Sequence, residues 1–208
     1  MEKSVKTTCG DTPTKGTAPY TCSVVVCSDR ASSGTYEDKS GPAAIGWLKG
    51  HQFVQGGYHV IADDIQMLKR IVLNDANTHD LVVISGGTGV SPRDITPQTL
   101  KTICDYEIPG IGELLRAGSL KYSLNAYLSR CGGWVLGRSL VLALPGNPKA
   151  VVEQLDILSD LLPHALKAIA GNCDHRRRLD TNNAQHPAVG SNDGRFVPQM
   201  HHDTTSLL

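Results

Sequence analysis

The sequence has no excess of charge of either sign. Its 208 residues contain 20 Lys+Arg and 20 Asp+Glu, so the formal net charge at pH 7 is +0. General nucleic-acid binders carry clustered positive charge that neutralises the phosphate backbone. The balanced composition therefore argues against a nucleic-acid partner.

Regularly spaced cysteines and long apolar runs are also missing. The 6 cysteines follow no repeated interval and form no CxxC pair, which argues against a disulfide framework or a zinc knuckle and favours reduced, structural thiols. No stretch is long enough to cross a bilayer, and the first residues contain no apolar segment typical of a secretion signal. We therefore expect a soluble protein of the cytoplasm with no membrane partner.

Between residues 22 and 170, strand patterns alternate with helix patterns. Apolar, β-branched runs predict strands at 23–28, 57–62 and 81–85, with an edge hairpin or a bent strand over 134–144. Periodicity and first-turn prolines predict helices at 40–49, 64–76, 96–106 and 110–122, and from 148 onward with an interruption near Pro163. This alternation predicts an α/β domain with a mostly parallel sheet between helical layers.

The two ends of the chain contain little that a core could bury. Residues 1–21 are rich in Thr, Lys, Gly and Pro, and we interpret them as a flexible N-terminal arm. Residues 171–208 form a polar C-terminal tail that we expect to be disordered. Its histidines allow a metal-binding role, but scattered histidines in a polar segment are far more typical of solvated coil.

Four loops follow the predicted strands at one edge of the sheet, at 28–34, 62–64, 85–94 and 144–149. Open α/β sheets bind ligands at this edge, where loops lead into helix N-termini. The GGTG run at 86–89 lets the backbone approach a phosphate or a ring closely, because glycine has no side chain in the way. The chain lacks GK[ST], GxGxxG and GxSxG, which argues against a Walker A loop, a dinucleotide fingerprint and a hydrolase nucleophile.

Two carboxylates determine the chemistry that we favour. Asp63 and Asp94 follow different strands, and a parallel sheet would bring them to one cleft. Such a pair suits Mg²⁺ held on a polyphosphate and requires no protein nucleophile. Structural alternatives remain open, because Asp63 is also a possible N-cap of the helix after it, and Asp94 a cap near Thr96 or a partner of Arg93.

Four further residues have equally ordinary interpretations. Ser119 and Ser129 fit surface or capping serines, and Asn147 fits a turn. Thr96 is predicted to be the N-cap of the helix that begins with TPQTL.

The motifs together resemble one enzyme family. Its pattern is matched, in order, by SDRASSGTYEDKSGP (28–42), the acidic step at Asp63–Asp64, SGGTGVSPRDITPQT (85–99), PGIGELLRAGSLKYSLNAYLSR (109–130) and LPGNPKAV (144–151). The chain in this respect resembles the molybdopterin adenylyltransferases, a family that includes bacterial Mog proteins and the G domains of plant Cnx and gephyrin. GGTGxxxRDxTP together with PGNPK is a specific signature, and the resemblance extends over roughly residues 22–170.

The resemblance implies a three-layer α/β/α domain, usually a homotrimer, that uses Mg²⁺ and ATP to make adenylyl-molybdopterin and pyrophosphate. It implies that Asp63 and Asp94 are the catalytic, metal-binding pair, and that a molybdenum insertase is a possible partner. It implies substrate-binding positions at Asp29, Gly86, Gly87, Thr88, Gly89, Ser119, Ser129, Pro145, Gly146, Asn147 and Lys149.

Three other functions remain as alternatives. A Moa B-type paralogue would bind molybdopterin without catalysis, and a gephyrin-like scaffold would serve only to trimerise. A flavodoxin-like nucleotide binder would be expected to carry its phosphate loop after the first strand, whereas this chain has its glycine loop after the third.

Overall fold

The structure is a computed structural model that describes residues 19–171. Nearly all of the predicted N-terminal arm and of the predicted C-terminal tail, including its histidines, lies outside the described residues. Six strands form one sheet within the described range. They are β1 (Thr21–Cys27), β2 (Val54–Ile61), β3 (Leu81–Ser85), β4 (Tyr106–Ile108), β5 (Gly132–Leu136) and β6 (Ser139–Leu144).

The sheet has the strand order β2-β1-β3-β6-β5-β4. The pairs β1–β2, β1–β3 and β3–β6 are parallel, whereas β5 runs antiparallel to both β6 and β4. The chain leaves β1 toward β2 and then returns to β3 on the other side of β1. This reversal between β1 and β3 is the point at which open α/β sheets form a ligand crevice.

Helices connect the strands and cover both faces of the sheet. They are α1 (Asp29–Ser32), α2 (Ser40–Gly50), α3 (Ile65–Ala76), α4 (Thr96–Ile103), α5 (Pro109–Ser119), a 3-10 helix (Leu124–Leu128), α6 (Pro148–Leu158) and α7 (Leu162–Ile169). The predicted interruption near Pro163 is confirmed, because α6 ends before this proline and α7 has it in its first turn. Proline fits there because its missing N–H would have no partner within the helix.

Two predictions at this level were wrong in detail. Thr96 is the first residue of α4 and not its cap, and its hydroxyl donates to the Gly86 carbonyl oxygen at 2.8 Å. Residues 132–144 form the predicted hairpin, but β4 pairs with β5, so the hairpin is not the edge of the sheet. Tyr106–Ile108 is too short and too exposed for its alternation to predict a strand.

The core consists of two buried clusters, one on each face of the sheet. Neighbouring strand residues point to opposite faces, so Val24 and Val83 belong to the cluster under α2, α5, α6 and α7, whereas Val25 and Val82 belong to the cluster under α3 and α4. This arrangement confirms the predicted α/β/α sandwich with its mostly parallel sheet. It also explains why β1 and β3 are apolar without alternation.

Four of the cysteines lie in the described part of the chain. Cys22, Cys27, Cys104 and Cys131 are free thiols. Between residues 19 and 171, no helix combines the length and the apolar character needed to cross a membrane.

Candidate functional site

A cavity of about 920 Å³ opens at the carboxyl ends of β1, β2, β3 and β6. Residues that directly follow each of these strands line it, so the topology gathers four loops around one space. Its volume lies in the range of pockets that enclose small-molecule ligands. The predicted binding edge of the sheet is therefore the edge that carries the cavity.

The glycine loop after β3 lines the cavity and packs too closely to admit side chains at two positions. Gly86 has φ +107, and a Cβ there would overlap the carbonyl oxygen of Cys27 on the neighbouring strand. Gly87 has φ +65, and a Cβ there would lie 2.5 Å from the hydroxyl oxygen of Thr96. Both the positive φ and the lack of space require glycine, which keeps this loop against the ends of β1 and α4.

Arg130 fixes the same loop from the other side. Its Nε donates to the Gly89 carbonyl oxygen at 2.6 Å and its Nη2 donates to the Asp94 carbonyl oxygen at 2.7 Å, while its backbone N–H donates to the Thr88 carbonyl oxygen at 2.8 Å. One planar guanidinium thereby joins the start and the end of the loop. Sequence reasoning missed this role, because nothing in LSR at 128–130 shows that the side chain reaches backbone carbonyls.

Asp63 and Asp94 both line the cavity, as predicted from their positions after different strands. Burial raises the pKa of the Asp63 carboxyl, and the negative charge of Asp94 raises it further. A negative charge facing the same cavity disfavours ionisation of a carboxyl group. The tertiary structure therefore brings together two oxygen donors that are far apart in the sequence.

The structural alternatives for this pair are resolved by its neighbours. Asp64, and not Asp63, caps α3 by accepting a hydrogen bond from the Met67 N–H at 2.7 Å. Asp94 accepts from the Ser91 N–H at 2.8 Å, so its carboxylate closes the turn before α4 and does not cap the helix. Arg93 pairs with Asp29 and not with Asp94.

Asp29 connects three of the loops around the cavity. It begins α1, its Oδ1 accepts from the Asp63 N–H at 3.0 Å, and its Oδ2 forms an ion pair with Arg93. The loops after β1, β2 and β3 therefore meet at this carboxylate. A substitution at Asp29 would therefore displace the loop that carries Asp63 and the loop that carries Asp94 together.

All but one of the predicted substrate-binding residues line the cavity. Those that do are Asp29, Gly86, Gly87, Thr88, Gly89, Ser119, Ser129, Pro145, Gly146 and Asn147. Asn147 also fulfils its structural interpretation, since its side chain accepts from the N–H groups of Lys149 and Ala150 as the N-cap of α6. The roles of these residues toward a substrate stay predictions.

Lys149 is the exception. Its side chain is 85% exposed, lies outside the cavity wall and forms a 3.7 Å ion pair with Glu153. Arg30, Lys39 and Arg93 supply positive charge in the cavity wall instead. They are exposed residues in loops whose motifs were recognised, but the sequence does not show which cation of a loop borders the cavity.

The loop before α2 is held against the cavity by a contact that the sequence does not reveal. Tyr58 on β2 donates to Asp38 Oδ2 at 2.6 Å, and Asp38 accepts from the Ser40 N–H and hydroxyl, each at 2.9 Å. Burial, with the Asp38 carboxylate as a smaller cause, raises the pKa of Tyr58 to about 12. Tyr58 therefore stays protonated and donates this bond throughout the neutral range.

Comparison with known proteins shows the family of this chain. The family described as "Probable molybdopterin binding domain" matches residues 23–164. A molybdopterin adenylyltransferase of Helicobacter pylori strain J99 is 39% identical over 153 residues, which cover 72% of this chain and 87% of that protein.

Two solved structures share the fold. One is the molybdopterin biosynthesis enzyme MoaB from Thermus thermophilus, with a TM-score of 0.69 and 35% identity over 73% of this chain and 97% of that one. The other is the molybdopterin biosynthesis Mog protein from Mycobacterium ulcerans, with a TM-score of 0.69 and 35% identity over 74% of this chain and 100% of that one. The chain belongs to the family of probable molybdopterin-binding domains.

Proposed function

We propose that this protein is a molybdopterin adenylyltransferase, which transfers AMP from ATP to molybdopterin and releases pyrophosphate. The observation that carries the proposal is the meeting of Asp63 and Asp94 at one cavity beside the glycine loop. The name of the relative from Helicobacter pylori supports the choice of reaction.

The acidic pair suits Mg²⁺ that enters with ATP. Within residues 19–171 no group of three or more His, Cys, Asp or Glu side chains could form a complete metal site. Two carboxylates nevertheless fit the ion, because Mg²⁺ on a nucleotide commonly takes one or two carboxylates and completes its coordination with water and phosphate oxygens. We assign Asp63 and Asp94 to this role, in which the ion would neutralise charge on the triphosphate.

The residues of the chain then have to orient two anionic reactants. A terminal phosphate oxygen of molybdopterin attacks the α-phosphorus of ATP, the bond between the α-phosphorus and the bridging oxygen breaks, and pyrophosphate leaves. The attacking phosphate is already an anion near neutral pH, so no strong general base is needed. Backbone amides of the glycine loop and the cations Arg30, Lys39 and Arg93 in the cavity wall would align and neutralise the phosphates.

The test replaces each carboxylate with its neutral, nearly isosteric amide. We expect Asp63→Asn and Asp94→Asn each to lower the rate of pyrophosphate release by about 100-fold or more, while molybdopterin binding stays within about threefold. Asp64→Asn is the matched control, since Asp64 only caps α3 and asparagine caps a helix equally well. Full activity in both cavity variants would refute the assignment.

The binding-only paralogue is the second candidate, because the MoaB structure matches this fold as closely as the Mog structure does. Mixing the protein with molybdopterin and Mg-ATP distinguishes the adenylyltransferase from the binding-only paralogue, since only the enzyme forms the adenylylated product. Following the resemblance, we also propose a homotrimer in the cytoplasm that passes its product to a molybdenum insertase. Sedimentation velocity tests the trimer, and the assay for adenylylated product separates the enzyme from the scaffold alternative, in which the trimer forms and product does not.

A further inference from the structure

One buried amide in the cavity wall has an oxygen without a partner. Gln154 lies on α6, is 3% exposed and is one of the residues around the cavity. Its Nε2 donates weakly to Ser119 Oγ at 3.4 Å and to Cys131 Sγ at 3.7 Å. Its Oε1 is buried and accepts no hydrogen bond from any residue in the described range 19–171.

An unpaired buried carbonyl opposes folding, because it has lost its hydrogen bonds to water and gained none. The other buried residues on this face of α6 are Val151, Leu155 and Leu158, so an aliphatic side chain would suit the surroundings of position 154. The amide is therefore better explained by a ligand than by packing. Resting on the proposed function, we propose that Gln154 recognises the pterin ring of molybdopterin, accepting a hydrogen bond from a ring N–H.

Ser119 supplies the complementary group beside it. Its hydroxyl oxygen accepts from Gln154, and within the described residues its proton is donated to no other group. The pair thus presents an acceptor and a donor side by side. The pyrimidinone edge of a pterin carries N–H donors next to a carbonyl acceptor, which is the matching pattern.

The position of Gln154 and Ser119 in the fold separates them from Asp63. Asp63 follows β2 at one edge, whereas Gln154 contacts Cys131, which directly precedes β5 on the far side of β6. Strands in a sheet lie about 4.8 Å apart, so β2 and β6 are separated by about 14 Å. A pterin ring near Gln154 can therefore direct its phosphate tail toward the centre of the cavity while Mg-ATP occupies the side of Asp63.

The experiment compares Gln154→Leu and Gln154→Met with wild-type protein, and Gln66→Leu, an exposed glutamine on α3, is the control. We measure the dissociation constant of molybdopterin from its pterin fluorescence, the KM for Mg-ATP and the thermal unfolding midpoint. Both Gln154 variants should bind molybdopterin about ten- to thirtyfold more weakly, while the KM for Mg-ATP stays within about twofold. Their midpoints should equal or exceed that of wild type, because an unpaired oxygen has been removed.

Other outcomes overturn the inference. If the Gln154 variants bind molybdopterin as tightly as wild type, the proposed contact does not exist. If their thermal unfolding midpoint is also lower than that of wild type, Gln154 has a structural role. If the KM for Mg-ATP rises and molybdopterin binding is unchanged, this end of the cavity binds adenine. If wild-type protein binds molybdopterin and forms no product, the proposed transfer fails while the binding comparison still decides the role of Gln154; if it does not bind molybdopterin at all, both proposals fail.

Discussion

The carboxyl of Asp63 shows how a residue of the cavity wall can oppose folding. Its pKa is raised by burial and by the charge of Asp94, which means that the folded protein holds this proton more tightly than the unfolded chain does. As pH rises from the ordinary pKa of aspartate through the raised value, the contribution of this group to the free energy of unfolding therefore falls. At neutral pH the ionised carboxylate destabilises the free protein.

Because protonation of Asp63 is coupled to folding, a variant that cannot ionise at this position should be more stable than wild type. In metal-free buffer at about pH 7, Asp63→Asn should unfold at a higher temperature than wild type, because the amide cannot ionise. The difference should shrink as pH falls below the ordinary pKa of aspartate, where Asp63 is protonated in both states. Calorimetry across this pH range measures the difference in unfolding temperature, with Asp64→Asn as the control. A difference that does not change with pH would show that ionisation of Asp63 is not its cause.

Gly86 tests the close packing of the glycine loop. Gly86→Ala should destabilise the protein by about 2 kcal/mol or more, because φ is +107 and the added methyl group would overlap the Cys27 carbonyl. The control is Gly46→Ala in α2, where a Cβ meets nothing within 4 Å and alanine favours the helix by about 0.5–1 kcal/mol. Urea unfolding should show a lower free energy of unfolding for Gly86→Ala and a higher one for Gly46→Ala than for wild type. Equal changes in the two variants would contradict this explanation.

Among the elements, the loop between β3 and α4 depends on Arg130. Arg130→Lys should increase hydrogen exchange at residues 86–94 and lower catalytic efficiency by about tenfold, because one ammonium cannot reproduce both guanidinium contacts to the loop carbonyls. Arg138→Lys is the matched control, since Arg138 also donates to a backbone carbonyl, that of Ala170, but lies outside the cavity wall. Unchanged exchange in the loop would show that the glycine packing alone fixes it.

The predicted elements were accurate wherever local chemistry dominated. Strand β3 is buried throughout, β1 is buried from Cys22 onward, and α3 and α6 have clear apolar faces, so their patterns were unambiguous. The predicted helix at 96–106 ends early at Ile103, because the chain then pairs with β5 as β4. Pairing between distant segments decided that boundary, and no local pattern reports it.

At the scale of the whole molecule, the described residues contain two core clusters. Their members lie between Tyr20 and Ile169 and cover the two faces of the sheet. Deleting residues 175–208 should therefore change the unfolding midpoint by less than about 2 °C, since that segment is polar in sequence. Differential scanning calorimetry of the shortened and full chains measures it, and a drop of several degrees would show that the tail stabilises the domain.

The candidate site was predictable to the extent that it consists of motifs. The acidic pair and the glycine loop were identifiable because their residue types and their positions after strands limit the possible chemistry. Arg130, Tyr58 and Gln154 were not, because each acts through a contact with a residue far away in the sequence. The role of Lys149 toward a substrate stays a prediction, since its motif matched but its exposed side chain pairs with Glu153.

The sequence by itself determined the layered α/β architecture, the family resemblance and the loops that carry the chemistry, because hydrophobic periodicity and glycine requirements are local. Only the tertiary structure decided which residues line the cavity, that the charge of Asp94 raises the pKa of Asp63, and that Gln154 has an unpaired buried oxygen. The physical reason is that distances between strands, and the burial that follows from them, are set when distant segments pack together.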